Sequence, residues 1–392
     1  AAMTEMMRRH PDATMELEIA LDGEGGKTAA DALQDLNTRM LAGDGPDVLI
    51  LDDTPMEQYA ANGLLMNLKD KADFGAMYEE LRAGFEKDGN IYYMPARYKL
   101  PMLIGDTEDI AGVDTLQQLV DAVVNGKDPA VLDAEVGDPF ASIPREERPA
   151  MVFDGLSELF DLMWNSGASE VITGEGLNSD KLRTMLEAMK AISDKCGLAK
   201  DPEEGSIVGG AIAMSTGGGE GSVITGSPMG YLSKRAQMCG FTVGDLLSTG
   251  MIEEKATAYQ PFPGLAQGAW QPFAIAGVNA GTQREELAVE FIEALFSQEV
   301  QATQTSGFPV SKAAADAQKE SINESMKEYR PEGLSFDLDG MVKKLKTPVA
   351  PDSSLHDTFF GVAESYCKGT VTIDEAVCQI EQAVRNYLAE RQ

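Results

Sequence analysis

Asp52 and Asp53 stand side by side at the end of the apolar run Val48, Leu49, Ile50, Leu51, and they are the residues best placed by type and position to do chemistry. Adjacent carboxylates can hold a divalent cation or accept hydrogen bonds from ligand hydroxyls. In open α/β sheets, ligands gather beyond the carboxyl ends of strands. The elements that would position the two acids are legible around them. The run itself reads as a parallel strand covered on both faces. Before it, Leu33, Leu36, Met40 and Leu41 recur at helical spacing, Gly43 caps that helix, and Gly45-Pro46 turns the chain into the strand. After it, Thr54-Pro55-Met56-Glu57 reads as a capping box with proline at the first helical position, and Asn62-Gly63 stops the helix.

Two further patterns invite a nucleotide reading. Gly26-Lys27-Thr28 lies between an expected strand and a helix, and the acidic end of the strand over residues 48–53 resembles one that holds magnesium. A phosphate loop, G-x-x-x-x-G-K-[ST], requires a glycine where this chain has Leu21, inside the expected strand. The bland alternative is a polar loop and a capped helix. The run TGGGEGS over 216–222 follows no apolar strand and has Ser222 where a dinucleotide fingerprint needs glycine, so it reads as a loop.

Histidine and cysteine chemistry is thin. His10 and His356 are the two histidines, and neither has a ligand-like neighbour or a G-x-S-x-G elbow to serve. Cys196, Cys239, Cys367 and Cys378 form no CxxC pair and no regular spacing, so free or buried thiols are expected rather than a metal site or a disulfide framework. With 64 acidic residues, a glycosidase pair of carboxylates stays open.

The chain's 392 residues exceed the size at which one core stops growing, so two domains are expected. Its 64 acidic against 32 basic residues give a net charge of −32, which opposes binding to nucleic acid or to anionic membrane surfaces. No apolar stretch reaches the ~20 residues of a membrane-spanning helix. No secretory signal is visible at the front. Residues 1–13 read as the tail of an amphipathic helix ending at His10-Pro11, followed by a strand over 15–21, so further chain is expected ahead of Ala1.

Further on, residues 91–105 form an aromatic and β-branched extended run broken by two prolines, suited to a strand crossing between domains. A helix is expected over 115–124 and a proline-bearing loop over 126–149. Leu156, Leu159, Phe160 and Met163 line a helix that Asn165-Ser166-Gly167 ends, with Trp164 beside that stripe as core. Another helix is expected over 179–193, loop over 205–221 and a short helix over 242–247. Residues 273–276 read as a buried strand, 285–297 as an amphipathic helix and 374–390 as a strong terminal helix.

Five segments in order carry a resemblance that spans nearly the whole chain: LNTRMLAGDGPDVLILDDTPMEQYAANGLLMNLKD, GNIYYMPARY, AGVNAGTQREELAVEFIEALFSQEVQ, SGFPVSKAA and YCKGTVTIDEAVCQIEQAVRNYLAE. Together they resemble family 1 extracellular solute-binding proteins, the maltose-binding-protein-like components of ABC importers. The resemblance implies an α/β fold of two periplasmic-binding-protein-like lobes, class II in type, with a hinge and ligand held between them. Lobe one would take 1–99 and 275–311, and lobe two 100–274 and 312–392. The hinge would use 97–101, 271–274 and a third crossing at 310–312. The family's first strand would precede the helix ending at His10.

What that implies for function is capture of a small saccharide or oligosaccharide and delivery to membrane permease subunits, by an extracytoplasmic monomer with no cofactor, no metal, no nucleic-acid partner and no catalysis. Carboxylates and amides share hydrogen bonds with sugar hydroxyls, and aromatic rings offer an apolar face. The expected ligand-binding residues are Asp52, Asp53, Thr54, Arg97, Tyr98, Asp154, Tyr231, Trp270 and Gln271. A peptide, a polyol or a glycerol phosphate is the alternative ligand. A nucleotide hydrolase or a glycosidase is the remote one.

Overall fold

A computed structural model describes residues 1–20, 28–128, 143–173, 176–199, 212–214, 222–224, 227–246, 248–249, 258–303, 306–328, 330–350 and 353–390. The chain divides into two compact units: Ala1–Tyr98 with Pro272–Gly333, and Lys99–Gln271 with Leu334–Gln392. The strands are β1 (Val48–Ile50), β2 (Tyr93–Gly105), β3 (Ile172–Thr173), β4 (Gly176–Leu177), β5 (Ile212–Met214), β6 (Ser222–Ile224), β7 (Met238–Val243), β8 (Ala258–Pro261), β9 (Ala269–Val278), β10 (Phe308–Pro309) and β11 (Thr347–Pro348). β2 and β9 are long because each serves both units. Pro95 and Pro101 lie within β2 without interrupting it, which a strand tolerates where the missing N–H is not needed by a neighbour.

In the first unit the strand order is β1-β9-β2-β10. β1 runs antiparallel to β9, with Val48 opposite Val278 and Ile50 opposite Ala276. This corrects the expected parallel strand covered on both faces. β1 ends the order of strands, and Ile50 is 52% exposed while Leu49 is buried. An unbroken apolar run signals a strand but carries no information on the direction of its partner.

The helix Ala29–Ala42 has the expected stop at Gly43, whose φ of 77° suits glycine, and it starts on a capping box between Thr28 and Asp31. The helix Met56–Ala61 starts differently from expectation. Its cap position is Pro55, with no side-chain capping bond, because the Thr54 hydroxyl donates back to the Leu51 carbonyl at 2.7 Å. The expected strand over 15–21 does not form over its described residues 15–20, which join no ladder, and Leu17 and Ile19 are exposed. Leu21 lies outside the described residues, as do Gly26, Lys27 and all of 216–221.

The helix Lys312–Met326 belongs to the first unit, so the third crossing falls at Gly333–Leu334 rather than at 310–312. Packing explains the difference. Ala314, Ala315 and Ile322 are buried, and the Gln318 amide donates to the Thr303 carbonyl at 2.7 Å.

The second unit joins β7 and β8 antiparallel to the second half of β2, and β11 parallel to the start of β9. The helix expected over 242–247 starts too early, since Thr242 and Val243 complete β7. The unit's apolar core gathers the helices Leu116–Asn125, Leu156–Asn165, Ser179–Cys196, Ser353–Cys367 and Ile373–Glu390. Trp164 is fully buried there, with its ring centroid 4.7 Å from that of Phe359 and 5.7 Å from that of Phe160.

Candidate functional site

In the first unit, the chain leaves β1 through Leu51, whose N–H donates to the Ile275 carbonyl at 2.7 Å. Asp52 comes next and is half-buried. Its carboxylate oxygens accept from the backbone N–H groups of Ala274 at 3.0 Å and Ile275 at 3.2 Å. Ala274 has a φ of +50°, a left-handed conformation that costs a residue with a Cβ about 1–2 kcal/mol. The charge-assisted bonds from Asp52 help to hold it there. Asp53, itself at φ 60°, is exposed. The turn therefore directs Asp52 onto β9 and leaves Asp53 facing solvent, with Thr54 half-buried behind it.

Arg97 and Tyr98 lie in the part of β2 that belongs to the first unit. Arg97 is 6% exposed, and its guanidinium donates to the carbonyls of Gln301 at 2.8 Å and Val300 at 3.0 Å. A cation on the last carbonyls of the helix Gln298–Gln301 satisfies groups that a helix end leaves open. Burial pulls the guanidinium down to about 10, still charged at neutral pH. Tyr98 is fully buried, its ring 5.5 Å from Phe308.

In the second unit, Trp270 is fully buried, opposite Pro348 in the ladder, and its carbonyl accepts from Val349 N–H at 2.7 Å. Gln271, the unit's last residue on β9, is half-buried. Its Nε2 donates to Asn165 Oδ1 at 2.8 Å, and Asn165 Nδ2 donates to Thr242 Oγ1 at 3.3 Å. Reasoning from sequence missed Asn165 and Thr242, having read the first as a helix stop and the second as a helix start. The available signal was a polar residue in each of two apolar segments, MWNSG and CGFTVG. The Tyr231 hydroxyl donates to Asp106 at 3.4 Å, and burial, reinforced by that carboxylate, raises its pKa. Asp154 is exposed, its N–H donating to Glu158 at 2.8 Å.

Burial makes two of the thiols poor nucleophiles. Burial pushes the Cys367 thiol up to about 11 and Cys196 up to about 12, far from the thiolate a nucleophile needs at neutral pH. His356 sits between Asp161 at 2.7 Å and Asp357 at 3.2 Å, and His10 binds Glu290 at 2.5 Å. Among the described residues no cluster of His, Cys, Asp and Glu has the makings of a metal site. An open hollow of about 420 Å³ in the first unit is lined by Lys319, Glu320, Glu324, Lys327, Arg330 and Glu332 among others. It involves none of the strand-end residues.

The class follows from comparison. Residues 24–328 match the family model for bacterial extracellular solute-binding proteins. The chain belongs to that family, the maltose-binding-protein-like binding components of ABC importers, and its α/β fold is the two-lobe periplasmic-binding-protein type. No curated protein matches the sequence.

Several solved structures share the fold. The GacH receptor of Streptomyces glaucescens, solved unliganded and with acarbose, is 14% identical with a TM-score of 0.54, over 100% of this chain and 94% of that one. UgpB from Mycobacterium tuberculosis, solved with glycerophosphocholine, is 15% identical with a TM-score of 0.54, over 100% and 96%. A chain described as a de novo designed esterase is 13% identical with a TM-score of 0.55, over 100% and 95%.

Proposed function

We propose that this solute-binding protein captures a neutral carbohydrate, a small saccharide or oligosaccharide, and hands it to membrane permease subunits without transforming it. The family match over 24–328 carries the reading. Two further observations support the ligand class. A neighbour in fold is solved with acarbose, and a net charge of −32 disfavours an anionic solute. Among the expected site residues, Asp53 and Asp154 are exposed and Thr54 and Gln271 half-buried, so these four are the ones we assign to the solute. Arg97, Tyr98, Tyr231 and Trp270 are buried in their own units, and Asp52 spends its carboxylate on β9. The crossings at Tyr98–Lys99, Gln271–Pro272 and Gly333–Leu334 would serve as the hinge. The protein would work as a monomer, lipid-anchored at the cell surface or free in the periplasm.

A glycerol phosphate ester is the second reading, because UgpB is solved with glycerophosphocholine. Thermal unfolding in the presence of maltotriose, mannotriose, glycerol, glycerophosphocholine and a tripeptide separates the two. A ligand at 100 times its Kd stabilises by about 2.7 kcal/mol. Stabilisation by a saccharide, with the sugar recovered intact, supports capture. A shift with glycerophosphocholine or the tripeptide alone sinks the carbohydrate reading, and release of shorter sugars would make the protein a glycosidase.

A further inference from the structure

The relay from Gln271 through Asn165 to Thr242 is polarised and open at both ends. Gln271 uses its Nε2 on Asn165, which leaves its carbonyl Oε1 as an acceptor with no partner among the described residues. Thr242 Oγ1 accepts from Asn165, so its own hydrogen is turned away from that bond and likewise meets no acceptor there. Asn165 ends the helix Leu156–Asn165, whose apolar stripe is locked into the core of the second unit. Thr242 and Gln271 are held by β7 and β9. Three rigid elements thus fix one acceptor and one hydroxyl donor, all three side chains half-buried. Gln271 Oε1 is not sealed from water, so a ligand hydroxyl that takes the place of that water keeps the acceptor hydrogen-bonded in a fixed direction.

We propose that Gln271 and Thr242, positioned by Asn165, form a docking point on the second unit for two hydroxyls of a neutral saccharide. Gln271 Oε1 accepts from one hydroxyl, and the Thr242 hydroxyl donates to the oxygen of another. The pairing also selects by charge. An ionised phosphoryl group presents only acceptors, so one docked at this point would satisfy Thr242 but leave Gln271 Oε1 facing another acceptor. The inference rests on the carbohydrate reading above and adds which residues discriminate for it.

The test compares wild type with Gln271→Met, Thr242→Val and Thr242→Ser by calorimetric titration with glucose, maltose, maltotriose and mannotriose, and with glycerophosphocholine. For whichever saccharide binds wild type, Gln271→Met and Thr242→Val are each expected to weaken affinity roughly five- to ten-fold. Thr242→Ser, which keeps the hydroxyl, is expected to retain it. Melting of the ligand-free variants should stay within about 2 °C of wild type, which separates lost recognition from lost structure. Saccharide binding that neither substitution weakens overturns the docking point and leaves the carbohydrate reading standing. Binding of glycerophosphocholine but of no saccharide overturns both.

Discussion

Asp52 and Asp53 are neighbours in sequence with opposite duties. Asp52 holds consecutive N–H groups of β9 across a residue in the left-handed region, and Asp53 faces solvent. Removing the first should therefore cost stability and altering the second should not. Asp52→Ala is expected to destabilise by about 1.5–3 kcal/mol, the worth of hydrogen bonds to a charged group, read from the urea midpoint. Adding Ala274→Gly should recover about 1 kcal/mol of that loss, because glycine adopts positive φ without a Cβ penalty. Asp53→Asn keeps a residue tolerant of that φ and should stay within about 0.5 kcal/mol. Equal losses at both positions would contradict this division of labour. Before folding the two acids were indistinguishable, since what separates them is the turn after Leu51 and the arrival of β9 from far along the chain.

At the scale of the element, local pattern carried well where local forces decide. The helices Glu285–Phe296 and Ile373–Glu390 and the stop at Gly43 follow from apolar period and capping alone. The strand β1 was legible as a strand, but its direction and coverage were not, because those depend on a partner more than two hundred residues away. The structure makes a measurable distinction between its residues. Leu49→Ala, in the covered face, should cost about 2–4 kcal/mol. Ile50→Ala, on the open face, should cost about 1 kcal/mol or less. Comparable losses in chemical denaturation would mean that both faces of β1 are covered after all. The same lesson holds at Thr242, where a short polar and aromatic stretch reads as the start of a helix from its local pattern and pairs with β2 as a strand.

For the whole molecule, charge is the feature that any condition will meet first. A net charge of −32 makes the compact state repel itself. Raising NaCl from about 0.01 M to about 0.15 M shortens the Debye length from about 30 Å to about 8 Å. The melting temperature should rise by a few degrees over that interval. A flat or falling Tm would show that opposite charges are already paired closely enough to cancel the repulsion. The family, too, was legible in the chain, since five ordered segments resemble it and the match over 24–328 places the chain there.

Sequence by itself determined composition, charge, most helices and the class of protein, because these rest on residue identity and on spacing within a few turns. Tertiary structure alone decided which polar groups are spent and which remain open. Arg97 is consumed by the carbonyls of a distant helix, Asp52 by β9, and Gln271, Asn165 and Thr242 are joined from three separate stretches of chain. A hydrogen-bonding side chain is available to a solute only when no nearer partner has claimed it, and partners distant in sequence become near only on folding.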